Sequence, residues 1–189
     1  MKLENLIDFE WYNEPENVVL SNNEMKITAH PKTDFWQSQH HKIKKDNAHF
    51  FFKRIDGNFV FSLKWRMSET DLFKQCGLMV RADERNWFKA SVMAKDSLKS
   101  ELGTCLTVAG HSDWAGTVLK KAPEEIFYKI ERLGDDFVCF YSFHGQKYVR
   151  LRQFYLPTLN EKIKVGAYIA SPQEQPFEAV LSDLDLTTF

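Results

Sequence analysis

A nine-residue stretch, TDFWQSQHH at residues 33–41, concentrates side chains that could bind a polar ligand. Asp34 accepts hydrogen bonds, Trp36 offers a flat apolar ring, and Gln37 both donates and accepts. In an extended chain Trp36 and the phenylalanine before it point to opposite sides, so one can enter a core while the other faces outward. We expect Asp34, Trp36 and Gln37 to border a groove with His40 behind them. Alternatively, Trp36 packs at an edge and Asp34 caps a turn.

The two adjacent histidines at 40 and 41 suggest a metal site, but their spacing argues against one. Neighbouring side chains on a strand diverge, so at most one of them faces a given site. His30 and His49 could contribute, yet no HxH, HExxH or Cys/His spacing accompanies them. We therefore expect neither a metal ion nor a cofactor.

A second candidate cluster comes from alternating apolar residues within 75–94. The alternation puts Arg81, Trp87 and Lys89 on the face opposite to the apolar one. A three-residue hairpin loop at 83–85 would place Arg81 directly opposite Trp87, with Lys89 next along the same face. A loop of two or four residues would break this register.

Such a cluster suits a sugar, because a Trp ring stacks on its C–H groups while charged side chains bind its hydroxyls. The prediction is a lectin-like groove lined by Trp36, Arg81, Trp87 and Lys89. The alternative is structural: Arg81 and Trp87 form an exposed cation–π pair on the strand surface.

The segment GHSDWAG at 110–116 resembles a loop with a small residue at each end. Asp113 and Trp114 would then form the rim of the groove. The alternative has Trp114 folding back over a sheet edge while Asp113 caps a short turn.

Sequence signs of catalysis are weak. A glycosidase needs two carboxylates that flank the scissile bond. Asp183 and Asp185 have a plausible spacing, but their alternation with leucines indicates a solvated strand face. G-x-S-x-G, P-loop and G-x-G-x-x-G motifs are missing from the sequence. Whether the protein is an enzyme stays open.

These residues must be positioned by strands, since a period of two recurs along the chain and no sustained helical period is found. Many short strands separated by Gly, Asp and Pro turns indicate an all-β protein, a two-sheet antiparallel jelly-roll sandwich forming one domain over residues 1–189. The predicted strands lie near residues 6–12, 24–29, 48–54, 57–67, 75–82, 87–94, 104–109, 125–133, 136–143, 147–155, 162–170 and 177–187.

Composition narrows the function classes. A net charge of −1 with both signs scattered argues against nucleic-acid and membrane-surface binding. The three cysteines cannot all pair with one another, and the N-terminus lacks the apolar stretch of a secretory signal. We expect reduced cysteines in a cytoplasmic protein.

Five motifs in order along the chain carry a family resemblance: NEP, TDFW, CGLMVRADERNWFKA, SDW and ASP. Together they resemble the DUF1349 family, concanavalin A-like sandwiches of the regulator-of-enolase type. The resemblance implies a jelly roll with one concave face and a link to carbohydrate binding or sugar metabolism. The family pattern places a glutamate where this chain has Met93, so any role of that carboxylate would be lost here.

Three hypotheses follow. The first is a lectin-like protein that binds a carbohydrate in the groove without breaking bonds. The second is a sugar-active lyase or isomerase, in which Lys89 or His40 acts as the base and Arg81 neutralises a carboxylate. The third is a regulatory module of glycolysis whose exposed aromatic residues anchor a protein partner.

Overall fold

The chain folds almost entirely into β-strands. A computed structural model describes residues 6–38, 42–67, 73–95, 99–157 and 162–189. Among these residues, no helix is long and apolar enough to cross a membrane. The strands are β1 Glu10–Tyr12, β2 Asn17–Ser21, β3 Glu24–Ala29, β4 Phe35–Ser38, β5 Ile43–Asp46, β6 His49–Ile55, β7 Phe59–Met67, β8 Gln75–Arg81, β9 Trp87–Ala94, β10 Ser100–Val108, β11 His111–Leu119, β12 Glu125–Leu133, β13 Asp136–Ser142, β14 Val149–Tyr155, β15 Ile163–Ala170 and β16 Phe177–Thr188.

Two seven-stranded antiparallel sheets form the sandwich, which confirms the predicted all-β jelly-roll class. The first sheet has the order β1-β6-β15-β8-β9-β10-β11, and the second has the order β14-β13-β12-β7-β16-β3-β2. Strands β4 and β5 pair only with each other and form a separate hairpin. We call it the β4–β5 hairpin, and it contributes residues to the candidate site.

The main core lies between the two sheets. Its apolar side chains come from alternate residues of the strands. In β7, Phe59, Phe61, Leu63 and Trp65 are all buried, while the residues between them are partly exposed. The Trp65 indole N–H donates to the Gly77 carbonyl at 2.9 Å, so its one polar group is satisfied inside the core. Each such side chain contributes about 1.5–3 kcal/mol through burial.

A second apolar cluster covers the other face of the first sheet, the face turned away from the second sheet. We call this the covered face. The β4–β5 hairpin lies on it and inserts Phe35 between Tyr12, Trp87 and Tyr168, with ring centroids 6.2–6.4 Å apart. The hairpin fills part of the face on which the groove is predicted. The buried members of the cluster are Phe35, Ala48, Phe50, Phe52, Met79, Trp87, Cys105, Tyr168 and Ala170.

The segment 110–116 is not a loop. From His111 it belongs to β11, which pairs with β10 along its whole length. Most of its residues are partly or fully exposed, so the sequence lacks the apolar alternation that marks the other strands. The three cysteines are unpaired and buried, and burial raises the pKa of each thiol.

Candidate functional site

The β8–β9 hairpin has the register that the sequence predicts. Arg81 lies opposite Trp87, and Met79 lies opposite Lys89. The turn is closed by the Ala82 N–H, which donates to the Asn86 carbonyl at 3.0 Å. Arg81, Trp87 and Lys89 therefore share the covered face.

Arg81 and Trp87 are shielded from any ligand by the β4–β5 hairpin. Trp87 has no exposed surface, and Arg81 is 2% exposed. The Arg81 guanidinium binds both carboxylate oxygens of Asp46, at 2.6 and 2.9 Å, and lies 4.5 Å from the centre of the Tyr12 ring. The expectations that Trp87 is a stacking platform and Arg81 binds a ligand are corrected, because both are buried within the fold.

Tyr12 completes this buried ion pair. Its hydroxyl donates to Asp46 Oδ2 at 2.7 Å. Burial, followed by the hydrogen bond to Asp46, raises the pKa of the Tyr12 phenol. The phenol therefore stays protonated and remains a donor to the carboxylate.

Lys89 has different partners, although it lies on β9, which pairs directly with the strand that carries Arg81. Its ammonium donates to Asp34 Oδ1 at 2.9 Å and to Gln75 Oε1 at 3.0 Å. The Tyr168 hydroxyl donates to the same Gln75 oxygen at 3.1 Å, and the Asp34 oxygen also accepts the Phe35 N–H at 2.8 Å. The lysine side chain is 2% exposed, so this network fixes it in one place.

A cavity of about 540 Å³ opens beside this network, a size typical of ligand pockets, which span roughly 300–1,000 Å³. Four predicted site residues line it, namely Asp34, Trp36, Lys89 and Trp114. The others that the structure describes do not line it, and His40 lies outside the described residues. The full lining is Asp34, Trp36, Ile43, Phe73, Gln75, Lys89, Met93, Lys95, Trp114 and Pro172.

Trp114 reaches the pocket because of its position on β11. It lies opposite Cys105 on the covered face, and its ring occupies the space over Gly103, where a Cβ atom would overlap it. Asp113 projects from the opposite face, and its exposed carboxylate is 3.5 Å from Arg152 of the second sheet. The two residues therefore do not form a common rim, because adjacent residues of a strand face opposite ways.

Gln37 fastens the hairpin to the sheet. Its backbone N–H donates to the Ser112 hydroxyl at 3.0 Å, and its side-chain amide donates to the Glu84 carbonyl at 2.6 Å. It lines a smaller cavity of about 230 Å³ with Arg85 and Lys44. Gln37 thus holds Trp36 in place and does not line the main pocket.

Two members of the site were missed at the sequence level, although strand parity could have found them. Gln75 lies on the same face of β8 as Arg81, an even number of residues away. Tyr168 lies between the core residues of β15, so it must point to the covered face. Both carry a polar group on a face that is otherwise apolar. Counting alternate residues along β8 and β15 would have identified them.

Two of the described histidines, His30 and His49, form a structural link. The backbone N–H of His30 donates to the ring Nε2 of His49 at 3.0 Å. The ring Nδ1 of His49 therefore carries the proton and donates to the Asn13 carbonyl. Burial lowers the pKa of His49. Among the described residues, no group of three His, Cys, Asp or Glu side chains is arranged to hold a metal ion.

Comparison with known proteins places this architecture in context. The family model described as a protein of unknown function, DUF1349, matches residues 11–189. Regulation of enolase protein 1 of Saccharomyces cerevisiae is 31% identical over 108 residues, which cover 57% of this chain and 54% of that protein. The chain therefore aligns with about half the length of this relative.

Solved structures share the fold. A functionally unknown Saccharomyces cerevisiae protein superposes with a TM-score of 0.89 at 24% identity, covering 97% of this chain and 98% of that one. The GH43 protein BlXynB of Bacillus licheniformis superposes at 0.75 and 12% identity, over 97% of this chain and 37% of that one. The alginate lyase of Klebsiella pneumoniae superposes at 0.59 and 11% identity, over 94% and 86%.

Proposed function

Since the chain belongs to the DUF1349 family, whose description assigns no activity, we propose a function from its pocket: it binds a carbohydrate between Trp36 and Trp114. The observation that carries this proposal is the pocket of about 540 Å³, in which two tryptophans accompany the carboxylate of Asp34. Aromatic rings stack on the C–H faces of sugars, and a carboxylate accepts charge-assisted hydrogen bonds from hydroxyls. The jelly-roll neighbours that act on glycans support the proposal by analogy of fold only.

The polar groups of the pocket are fixed before a ligand arrives. Lys89 and Gln75 hold each other at 3.0 Å, and Lys89 holds Asp34 at 2.9 Å. A preorganised site loses little side-chain entropy on binding. Phe73, Ile43 and Met93 supply apolar lining suited to the C–H edges of a sugar.

Binding without bond breaking fits this pocket better than catalysis. Asp34 is the one carboxylate that lines it among the residues described, whereas glycoside hydrolysis uses two. The ammonium of Lys89 is held by an anionic partner, and Arg81 is committed to Asp46. Neither is therefore placed to act as a base or to neutralise a substrate carboxylate.

A second candidate is a regulatory module that binds a partner protein, in line with the name of the yeast relative. It is supported by β2, an edge strand of the second sheet on which Val19 and Leu20 are 54% and 50% exposed. Binding of purified enolase to wild type and to Val19→Ser/Leu20→Ser, measured by surface plasmon resonance, tests it. Three unpaired cysteines are consistent with a reducing, cytoplasmic setting for either role.

The carbohydrate proposal is tested through the five tryptophan indole N–H signals in a two-dimensional NMR spectrum. Titration with neutral hexoses, pentoses and their short oligomers should shift the Trp36 and Trp114 signals and leave those of Trp65 and Trp87 in place. Trp36→Ala should abolish the response. Trp11→Phe is the matched control, because Trp11 packs on Phe51 outside the pocket. A panel without any indole shift at high millimolar sugar would overturn the proposal.

A further inference from the structure

We infer that the pocket selects neutral sugars and rejects uronic acids and other anionic sugars, because both lysines of its lining already have anionic partners while one oxygen of Asp34 accepts from no described residue. This inference rests on the proposed function and names its ligand class. It follows from how the charges lining the pocket are paired.

Among the described residues of the pocket wall, the one buried cation is already paired with an anion. Lys89 is 2% exposed, and its ammonium contacts Asp34 Oδ1 and Gln75 Oε1 at 2.9 and 3.0 Å. An anionic ligand would have to displace Asp34 to reach it. Because Gln75 is itself held by Tyr168, the ammonium cannot turn towards a ligand without breaking the network.

The second cation of the lining is also paired. Lys95 lies 2.8 Å from the Glu101 carboxylate, which is 8% exposed. Lys95 is 46% exposed, so an anion at this rim would be screened by water and by Glu101. Each lysine of the described lining therefore has an anionic partner, although Glu101 itself lies outside the lining.

Asp34 uses one carboxylate oxygen and leaves the other available. Its Oδ1 accepts from Lys89 and from the Phe35 N–H, whereas no described residue donates to Oδ2. The side chain is 21% exposed, so a ligand can reach it. Two sugar hydroxyls can donate to this oxygen, but the carboxylate of a uronic acid meets a like charge there.

The selectivity should reverse when the negative charge is removed. Asp34→Asn keeps the shape of the side chain and an oxygen for the Phe35 N–H. It also leaves Lys89 as a cation without an anionic partner beside the cavity. The geometry thus predicts that this single substitution turns a site for neutral sugars into one that favours uronates.

The experiment compares matched pairs, glucose with glucuronate and galactose with galacturonate, by the indole NMR shifts of Trp36 and Trp114. In wild type the neutral sugar should bind at least about tenfold more tightly than its uronate. Asp34→Asn should invert that ratio. Asp113→Asn is the matched control, since Asp113 is exposed on the opposite face of β11 and should leave the ratio unchanged.

The possible outcomes separate this inference from the proposed function. Uronates that bind wild type as well as neutral sugars would overturn the selectivity and leave carbohydrate binding intact. Failure of every sugar to bind would remove both. If Asp34→Asn does not fold, Lys89→Met replaces it. This change removes the cation beside Asp34, so the preference for neutral sugars should be larger than in wild type. A smaller preference would contradict the inference.

Discussion

Arg81 and Asp46 join the first sheet to the β4–β5 hairpin through a two-point ion pair, with N–O distances of 2.6 and 2.9 Å. The arginine is 2% exposed and the aspartate side chain 16%. A second pair, Lys89 with Asp34 at 2.9 Å, joins the sheet to the residue just before β4. The open base of the hairpin, where β4 begins and β5 ends, is therefore held by two ion pairs as well as by the Phe35 ring.

Loss of Asp46 should destabilise the protein strongly, because it leaves the buried guanidinium of Arg81 without a counter-ion. We expect Asp46→Ala to lower the free energy of unfolding by about 3 kcal/mol. Urea denaturation followed by circular dichroism measures this. Glu174→Ala is the control, since Glu174 pairs with Lys32 on the surface with both side chains more than half exposed. It should cost less than about 1 kcal/mol, and equal losses would refute the assignment.

Phe35 should prove to be the apolar anchor of the hairpin. Phe35→Ala removes a side chain with no exposed surface and leaves a cavity against Trp87, so a loss of about 3–5 kcal/mol is expected. Trp87 should also gain access to water, which shifts its fluorescence to longer wavelength. Phe189→Ala serves as the matched control because that ring is 70% exposed. An unchanged emission maximum in Phe35→Ala would show that the hairpin does not depend on this ring.

Gly103 should be required for the position of Trp114. A Cβ atom there would overlap the Trp114 ring, so Gly103→Ala must push the indole towards the pocket. The expected cost is about 1–3 kcal/mol, together with a displaced Trp114 indole NMR signal and loss of sugar binding. At Gly116 a Cβ atom meets the side chain of Glu101, which can swing away. Gly116→Ala should therefore retain the Trp114 signal, and a Gly103→Ala spectrum identical to wild type would exclude the packing described.

His49 should make stability depend on pH. Its pKa is lowered by burial, so the folded protein favours the neutral ring more than the unfolded chain does. The contribution of His49 to the free energy of unfolding is therefore fully present above the unfolded pKa of about 6.5. It is lost as the pH falls through the lower pKa of the folded state. Free energies of unfolding between about pH 7.5 and 5 should show a smaller decline for His49→Asn than for wild type. His111→Asn, at an exposed position, is the control, and an equal change of slope in both variants would contradict this origin.

The strand framework was predictable because burial on one side imposes alternation. The bounds of β3, β9 and β12 agree with the sequence prediction, and the pairing of Arg81 with Trp87 followed from parity and turn length. The same parity placed Lys89 on the face that holds the pocket, whereas Trp114 was expected on a loop and lies on β11.

The covering of the first sheet was not predictable in the same way. β4 and β5 have four residues each, too few for a period to register, and they pair with no other strand. Their position depends on Phe35 and on two ion pairs. The partners of these ion pairs are 35 and 55 positions apart in the sequence. Such long-range contacts leave no local pattern, so Trp87 and Arg81 were expected to be accessible although they are buried.

The position of β15 and β16 bears on how the chain folds during synthesis. β15 lies between β6 and β8 in the first sheet, and β16 lies between β7 and β3 in the second. Neither sheet can close until residues 163–188 have left the ribosome, because a central strand of each is still missing. The earlier meander β8 to β11 can pair locally, but its apolar face must stay exposed in the meantime. The partly synthesised chain therefore keeps apolar surface exposed to water until β15 and β16 insert.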